Sequence, residues 1–285
     1  MTALVLRDVL ALSKPRITAL VVATTGGGLF LAPGALTAAG ILLVLLCTAM
    51  TVGAANTLNC YMERDVDGLM ARTRNRPLPA GRLPSWVALA FGLFLAVASV
   101  PLLAWLVNPI TAVLASVALL SYVLVYTPMK LRSPVALFVG AIPGAIPPLM
   151  GYTAVTGRIE LEGLALFAIL FIWQIPHFLA ISIFRKNDYA GAGFKILPVV
   201  WGDRAARWHA VLWSALLLPV GISPWPLGMT GPVYGVVAAV LGVAFLGFAL
   251  RGLSRSADFR WARGFFFFTL LHLTVLFTAL IVDAR

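Results

Sequence analysis

The feature that most constrains this chain is a run of about twenty apolar residues, recurring along nearly its whole length and broken by short charged or Pro/Gly-rich gaps. An α-helix needs about 20 residues, at roughly 1.5 Å each, to cross ~30 Å of hydrocarbon. Strands of a membrane barrel would instead alternate over ~10 residues, and no such alternation runs here. The pattern predicts nine spans at 15–33, 39–60, 85–106, 109–127, 134–156, 162–184, 206–224, 231–251 and 263–282. With 61% hydrophobic and 11% charged residues among 285, the bilayer is the main solvent. No linker or shift in composition divides the sequence, so residues 1–285 read as a single transmembrane domain.

The gaps alternate in charge. Those at 107–109 and 223–232 are uncharged turns, whereas the other set collects Arg7, Lys14, Arg16, the arginines between Arg64 and Arg82, Lys130, Arg132, and the basic residues of 185–207 and 251–263. Of the 21 basic residues, only Arg158 and Arg285 fall on the opposite side. The positive-inside rule puts the N-terminus and the charged loops in the cytoplasm and the C-terminus outside. The net charge of +11 therefore reports topology and gives no reason to expect nucleic acid. Met1 to Ser13 reads as an interfacial amphipathic segment, and Cys47 and Cys60, without metal-ligand spacing, read as packing residues.

Charge at the end of the second span needs a chemical reason. If that helix continues to Asp67, then Asn59, Glu63 and Asp67 recur every four residues and share one face, while Asp65 lies ~200° from Glu63 and points elsewhere. Hard oxygen ligands without His or thiolate suit Mg²⁺, which binds through a few carboxylates together with substrate phosphate oxygens. Arg72, Arg74 and Arg76 follow at once, and guanidinium forks match phosphate. Arginines alone could serve topology; acidic residues contribute little to it and are costly near the bilayer.

The sixth span feeds a second charged loop. Asp188 is its lone carboxylate before Asp203 and so the natural residue to complete a metal site, while Asp203 resembles a helix N-cap. His177 lies inside the span after Trp173, Gln174 and Pro176, where an imidazole packs as a core residue, ligates iron or handles a proton. Lys14, Lys130 and Arg132 either grip phosphate or only set orientation. His209 and His272 read as packing residues.

Taken together, Asn59, Glu63 and Asp67 with Met70, Arg72, Thr73, Arg76 and Pro77, then Trp173, Gln174 and His177, then Arg185, Asp188, Tyr189, Leu197 and Pro198, resemble the protohaem IX farnesyltransferases. These haem O synthases belong to the UbiA superfamily of intramembrane prenyltransferases. The resemblance runs over nearly the whole chain, from Ser13, Lys14, Pro15 and Arg16 onward, and departs at Glu63, where the superfamily usually has Asp. A further departure is the single Asp188, where many relatives carry several aspartates.

The resemblance implies an all-α fold of nine transmembrane helices around a central cavity. It implies Mg²⁺-dependent transfer of farnesyl from farnesyl diphosphate to a vinyl group of protohaem IX, a substrate rather than a cofactor, with water adding to give haem O. In that reading Asn59, Glu63, Asp67 and Asp188 are catalytic and hold the metal. Lys14, Arg72, Arg76, Lys130 and Arg185 bind diphosphate, and His177 faces haem. The setting is the cell inner membrane, with a haem A synthase or oxidase-assembly factor as a partner. An aromatic or quinone-precursor acceptor is the alternative within the same superfamily.

Overall fold

The computed structural model describes residues 3–285; the first two residues of the expected interfacial segment lie outside them. The chain is helical almost throughout. It begins with α1 (Ala3–Leu12), α2 (Pro15–Leu31), α3 (Ala38–Met62), the short α4 (Arg64–Asp67) and α5 (Ser85–Leu106). Next, α6 (Pro109–Leu120) passes through a π-helical stretch, Ser121–Tyr126, into α7 (Thr127–Met129). The remainder is α8 (Ala136–Thr156), α9 (Leu161–Phe184), α10 (Lys186–Gly191), α11 (Leu197–Val200), α12 (Gly202–Ile222), α13 (Pro232–Arg251) and α14 (Phe259–Val282).

Eight of these segments are long and apolar enough to cross a membrane. The ninth apolar helix, α2, has 17 residues, the short end of the range of about 17–25 that spans a bilayer. Each expected span thus has its helix, with ends shifted by a few residues. The fourth runs on to Met129 and the seventh begins at Gly202. Large apolar side chains such as Leu20, Phe94 and Trp105 point outward, as lipid-facing surfaces require.

The most enclosed span is α8, which packs on α2, α6 and α9. Small residues permit this: a Cβ on Gly28 would lie 2.0 Å from the Pro148 carbonyl oxygen, and one on Gly151 would lie 2.0 Å from that of Thr25. Close backbone approach of this kind is how membrane helices gain packing without a hydrophobic drive between them. Around this pair, α9 contacts α12 and α14, α13 packs on α12 and α14, and α3 packs on α2 and α5. The two ends of α2, α3, α5, α6, α8, α9 and α12 to α14 alternate, so Lys14, Glu63, Lys130 and Arg185 all emerge at one end of the bundle.

That charged end is braced by α1. Val9 and Leu12 bury against Cys60, Leu78, Leu83 and Ala88, and Arg82 grips Asp8 through Nε at 2.8 Å and Nη2 at 3.3 Å. The Arg82 hydrogen bond holds the Asp8 carboxyl below its ordinary value. Arg82 also donates to Asn75 O at 3.1 Å, so α1 is tied to the loop that carries Arg72 and Arg76.

Candidate active site

The helix expected to run unbroken to Asp67 bends instead at Glu63, whose φ of −94° and ψ of 5° close α3 and open α4. The hydrogen-bond ladder survives the bend: Glu63 N–H donates to Asn59 O at 2.9 Å, and Asp67 N–H donates to Glu63 O at 2.7 Å. Because four-residue bonding persists, Asn59, Glu63 and Asp67 remain on one face, and all three line one cavity of about 230 Å³. The Asp65 side chain is 86% exposed beside Arg64 and stays off that wall.

Lys14, Arg72, Arg76 and Lys130 line the same cavity. Lys14 Nζ donates to Asn59 Oδ1 at 3.1 Å, and Asn59 Nδ2 in turn donates to Thr127 Oγ1 at 3.2 Å. Arg76 Nη1 donates to Asp67 Oδ2 at 2.6 Å, while Thr73 Oγ1 donates to Asp67 O at 2.7 Å. Lys130 Nζ pairs closely with the buried Glu63 Oε1. Each of the three oxygen-bearing side chains is thus matched to a cation.

Lys130 also lies 4.8 Å from the Tyr126 ring centre and 5.7 Å from that of Phe194. Desolvation opposes its charge, yet Tyr126 and Glu63 outweigh it and hold the ammonium above its ordinary value. At Lys14 the balance goes the other way: desolvation, with Arg76 and Lys130 nearby, outweighs the Glu63 carboxylate and pushes its ammonium down. A fifth cation, Lys195, joins the wall, and its backbone N–H donates to Lys130 O at 2.9 Å. Five cations face two carboxylates, so the cavity is cationic and suited to a polyanion.

Arg185 and Asp188 are not brought to this cavity. They pair with one another at 3.3 Å across one turn, with 48% and 40% of their side chains exposed, and the neighbouring Tyr189 reaches the wall instead. Among the described residues no three His, Cys, Asp or Glu side chains cluster as a ready metal cage. Asp203, expected as an N-cap, sits one residue inside α12 and pairs with Lys186 at 2.9 Å, leaving Trp201 at the cap position.

His177 stands apart from the cavity wall. Phe178, Ile181 and Ser182 line the cavity from α9, so His177 lies one residue, about 1.5 Å, beyond the inner edge of that wall and ~100° around the helix from Phe178. Its ring stacks on Trp173 and on Phe266, both at 4.7 Å between centres, and Nδ1 lies 2.7 Å from Thr269 Oγ1. His272 is buried against Phe245, and His209 lies near Phe138 and Trp201, in keeping with packing roles. Cys47 and Cys60 are buried and unpaired.

Sequence reasoning missed Lys195, Tyr122, Tyr126 and Thr127. The π-helical stretch has no one-dimensional signature, although two tyrosines four residues apart in an apolar span are a usable cue. Thr127 donates to Tyr122 O at 2.9 Å, a bond across five residues that fixes the hydroxyl on which Asn59 rests.

Among the described residues, nine apolar helices with a polar cavity at one end of the bundle define a multi-pass integral membrane protein. The profile of the UbiA prenyltransferase family matches residues 20–271, and the chain belongs to that family. It is 54% identical to the protoheme IX farnesyltransferase of Anaeromyxobacter sp. (strain Fw109-5), over 98% of this chain and 94% of that protein. It is 51% identical to the protoheme IX farnesyltransferase of Myxococcus xanthus (strain DK1622), over 97% and 94%. In structure it is similar to a chain from work on digeranylgeranylglyceryl phosphate synthase in membranes, with a TM-score of 0.84 at 18% identity over 98% of each chain. A UbiA homolog from Archaeoglobus fulgidus bound to GPP and Mg²⁺ gives 0.74 at 17% identity, over 96% of this chain and 99% of that one. At these identities the two structures establish the fold.

Proposed function

We propose that this protein transfers the farnesyl group of farnesyl diphosphate to a vinyl group of protohaem IX, giving haem O and diphosphate. The observation that carries the diphosphate half is the convergence of Lys14, Arg72, Arg76 and Lys130 with Asn59, Glu63 and Asp67 in one cavity. Support for the acceptor comes from relatives 51–54% identical over nearly the whole chain that bear the name protoheme IX farnesyltransferase.

At about 230 Å³ the cavity falls below the ~300–1,000 Å³ of pockets that enclose drug-sized ligands, so it has room for a diphosphate head. The isoprenoid tail then extends among the apolar helices. Lys14, Arg72, Arg76, Lys130 and Lys195 turn toward the phosphate oxygens, which releases the oxygens of Asn59, Glu63 and Asp67 from their internal cations. Those three side chains are hard-oxygen donors brought to one cavity wall, and they fit Mg²⁺, which when bound would neutralise charge on the leaving diphosphate. Asp188 and Arg185 join this set once their mutual pair opens.

As the allylic C–O bond breaks, its electron pair leaves with the diphosphate, and the cations stabilise the developing negative charge. The π electrons of the vinyl group form the new C–C bond to the farnesyl carbon, leaving positive charge on the vinyl carbon next to the porphyrin ring. Water adds there and gives up a proton, which completes the hydroxyethylfarnesyl side chain. Water arriving earlier would yield farnesol, so a dry passage is required; Tyr122, Tyr126 and Phe178 line the cavity with aromatic faces that exclude water and favour cationic character. His177, next to Phe178 on α9 and just beyond the cavity wall, contacts or orients the porphyrin. The charged end faces the cytoplasm across the cell inner membrane, by the distribution of basic residues.

Expression in cells without their own haem O, followed by haem extraction and mass analysis, tests this reading. The farnesylated, hydrated porphyrin is expected. A prenylated aromatic acid or quinone precursor in its place would move the acceptor, and unmodified protohaem with no prenylated product would overturn the transferase.

A further inference from the structure

We propose that Thr269 is a positioning residue that fixes His177 as the Nδ1–H tautomer and so presents a bare Nε2 to the acceptor. The acceptor half of this proposal rests on the reading of His177 as the haem-facing residue. The tautomer half rests on two distances. Thr269 Oγ1 lies 2.6 Å from Phe266 O and 2.7 Å from His177 Nδ1. A carbonyl oxygen carries no proton, so an oxygen–oxygen separation this short requires the threonine hydroxyl hydrogen to lie between the two. Threonine has no second hydrogen to give. The contact with Nδ1 therefore takes its hydrogen from the ring, and a neutral imidazole protonated at Nδ1 is bare at Nε2.

The surroundings hold this arrangement. Thr269 is fully buried, so bulk water does not compete for its hydroxyl. Its own carbonyl accepts the Trp173 Nε1 hydrogen at 2.9 Å, so one residue of α14 anchors both the imidazole and the indole stacked on it. The nearby amide is occupied elsewhere: Gln174 Nε2 donates to Leu170 O at 3.0 Å and to Ala141 O at 3.3 Å. With both the stacking plane and the Nδ1 edge fixed, the edge bearing Nε2 is the one left to meet a ligand. An acceptor on the far nitrogen also raises the basicity of the nitrogen that faces a metal, the arrangement by which outer hydrogen bonds orient histidine ligands.

The test uses the full chain, labelled with ¹⁵N-histidine, in lipid nanodiscs. Three histidines make the spectrum sparse, and the His177 signals are assigned by their loss in His177→Gln. The wild type is expected to show a protonated Nδ1 and an unprotonated Nε2. Thr269→Val should lose this preference, and Thr269→Ser should restore it. Protohaem titrated into the same samples should bind about 10–100-fold more weakly to Thr269→Val, with loss of the nitrogen-ligand signature in the haem spectrum, and nearly normally to Thr269→Ser. A wild-type protein protonated at Nε2 overturns the proposal without any variant being needed. So does a Thr269→Val protein whose His177 tautomer and haem affinity are unchanged while His177→Gln weakens haem binding. An unchanged haem spectrum in His177→Gln instead overturns the placement of His177 at the acceptor, and the acceptor half of this proposal with it, whatever the tautomer.

Discussion

Lys14 Nζ reaches Asn59 Oδ1 across 3.1 Å from a left-handed backbone, with φ at 50° and ψ at 65°. Among the described residues it is the one non-glycine with positive φ, and it sits between the interfacial helix and the first span. Strain of this kind persists where surrounding structure imposes it, and here it aims an amine into the cavity. Lys14→Ala and Lys14→Gly both remove the amine, and only glycine also relieves the backbone. The glycine variant should be more stable than the alanine variant by about 1 kcal/mol, as read by thermal unfolding in detergent. Both should raise the KM for farnesyl diphosphate alike, by about tenfold for a lost charged hydrogen bond.

The same residue predicts opposite pH trends for stability and for binding. Desolvation, with Arg76 and Lys130 nearby, lowers the Lys14 value in the fold. Between that lowered value and the ordinary lysine value of about 10.4, the unfolded chain keeps a proton that the folded chain gives up. Stability therefore rises with pH across the window, because the unfolded state binds more protons there. Diphosphate affinity falls as pH rises through the lowered value, since the anion needs the ammonium. Lys14→Met should flatten both trends, checked by unfolding and by diphosphate titration at stepped pH.

Asp67 is nearly inaccessible, and its carboxylate is held by Arg76 at 2.6 Å. Asp67→Ala should leave the protein in the membrane, because the ladder bond from its N–H to Glu63 O involves backbone alone. Turnover should fall by about 10²–10³-fold, the scale seen when one preorganised electrostatic group is removed. Chelation of divalent ions should abolish turnover in the wild type, and added Mg²⁺ should restore it. Full turnover under chelation would sink the metal reading while leaving the cationic diphosphate cavity in place.

What was legible in the sequence followed from local rules. Apolar runs located the spans because lipid sets their length, and the four-residue spacing of Asn59, Glu63 and Asp67 survived a bend because the backbone bonds continue through it. The second loop defeated the same reasoning. Arg185 stands one turn from Asp188 and pairs with it outside the cavity, and Lys186 pairs with Asp203 across the start of α12, so spacing alone did not report where either carboxylate stands. Lys195 enters the cavity through a backbone bond to Lys130, a contact between residues 65 apart that no spacing rule reports. The partnership of His177 with Thr269 spans 92 residues and depends on how α9 meets α14. Long-range pairings of this sort are set by helix packing, which periodicity does not encode.

Two glycines on α8 should separate packing from chemistry. A Cβ on Gly151 would meet the Thr25 carbonyl oxygen at 2.0 Å, and a helix backbone has no soft mode with which to yield. Gly151→Ala should therefore part α2 from α8, with low yield of folded protein in detergent. A Cβ on Gly140 would meet Tyr126 Cε2 at 2.4 Å, and a ring at the end of a π-helical stretch can swing aside. Gly140→Ala should fold at a cost of about 1–3 kcal/mol while moving the Tyr126 ring relative to Lys130. Its kcat should fall by more than the stability loss explains, with membrane yield preserved. Equal loss of yield in both variants, or a fully active Gly140→Ala, would show that the Tyr126 ring position does not matter to the reaction.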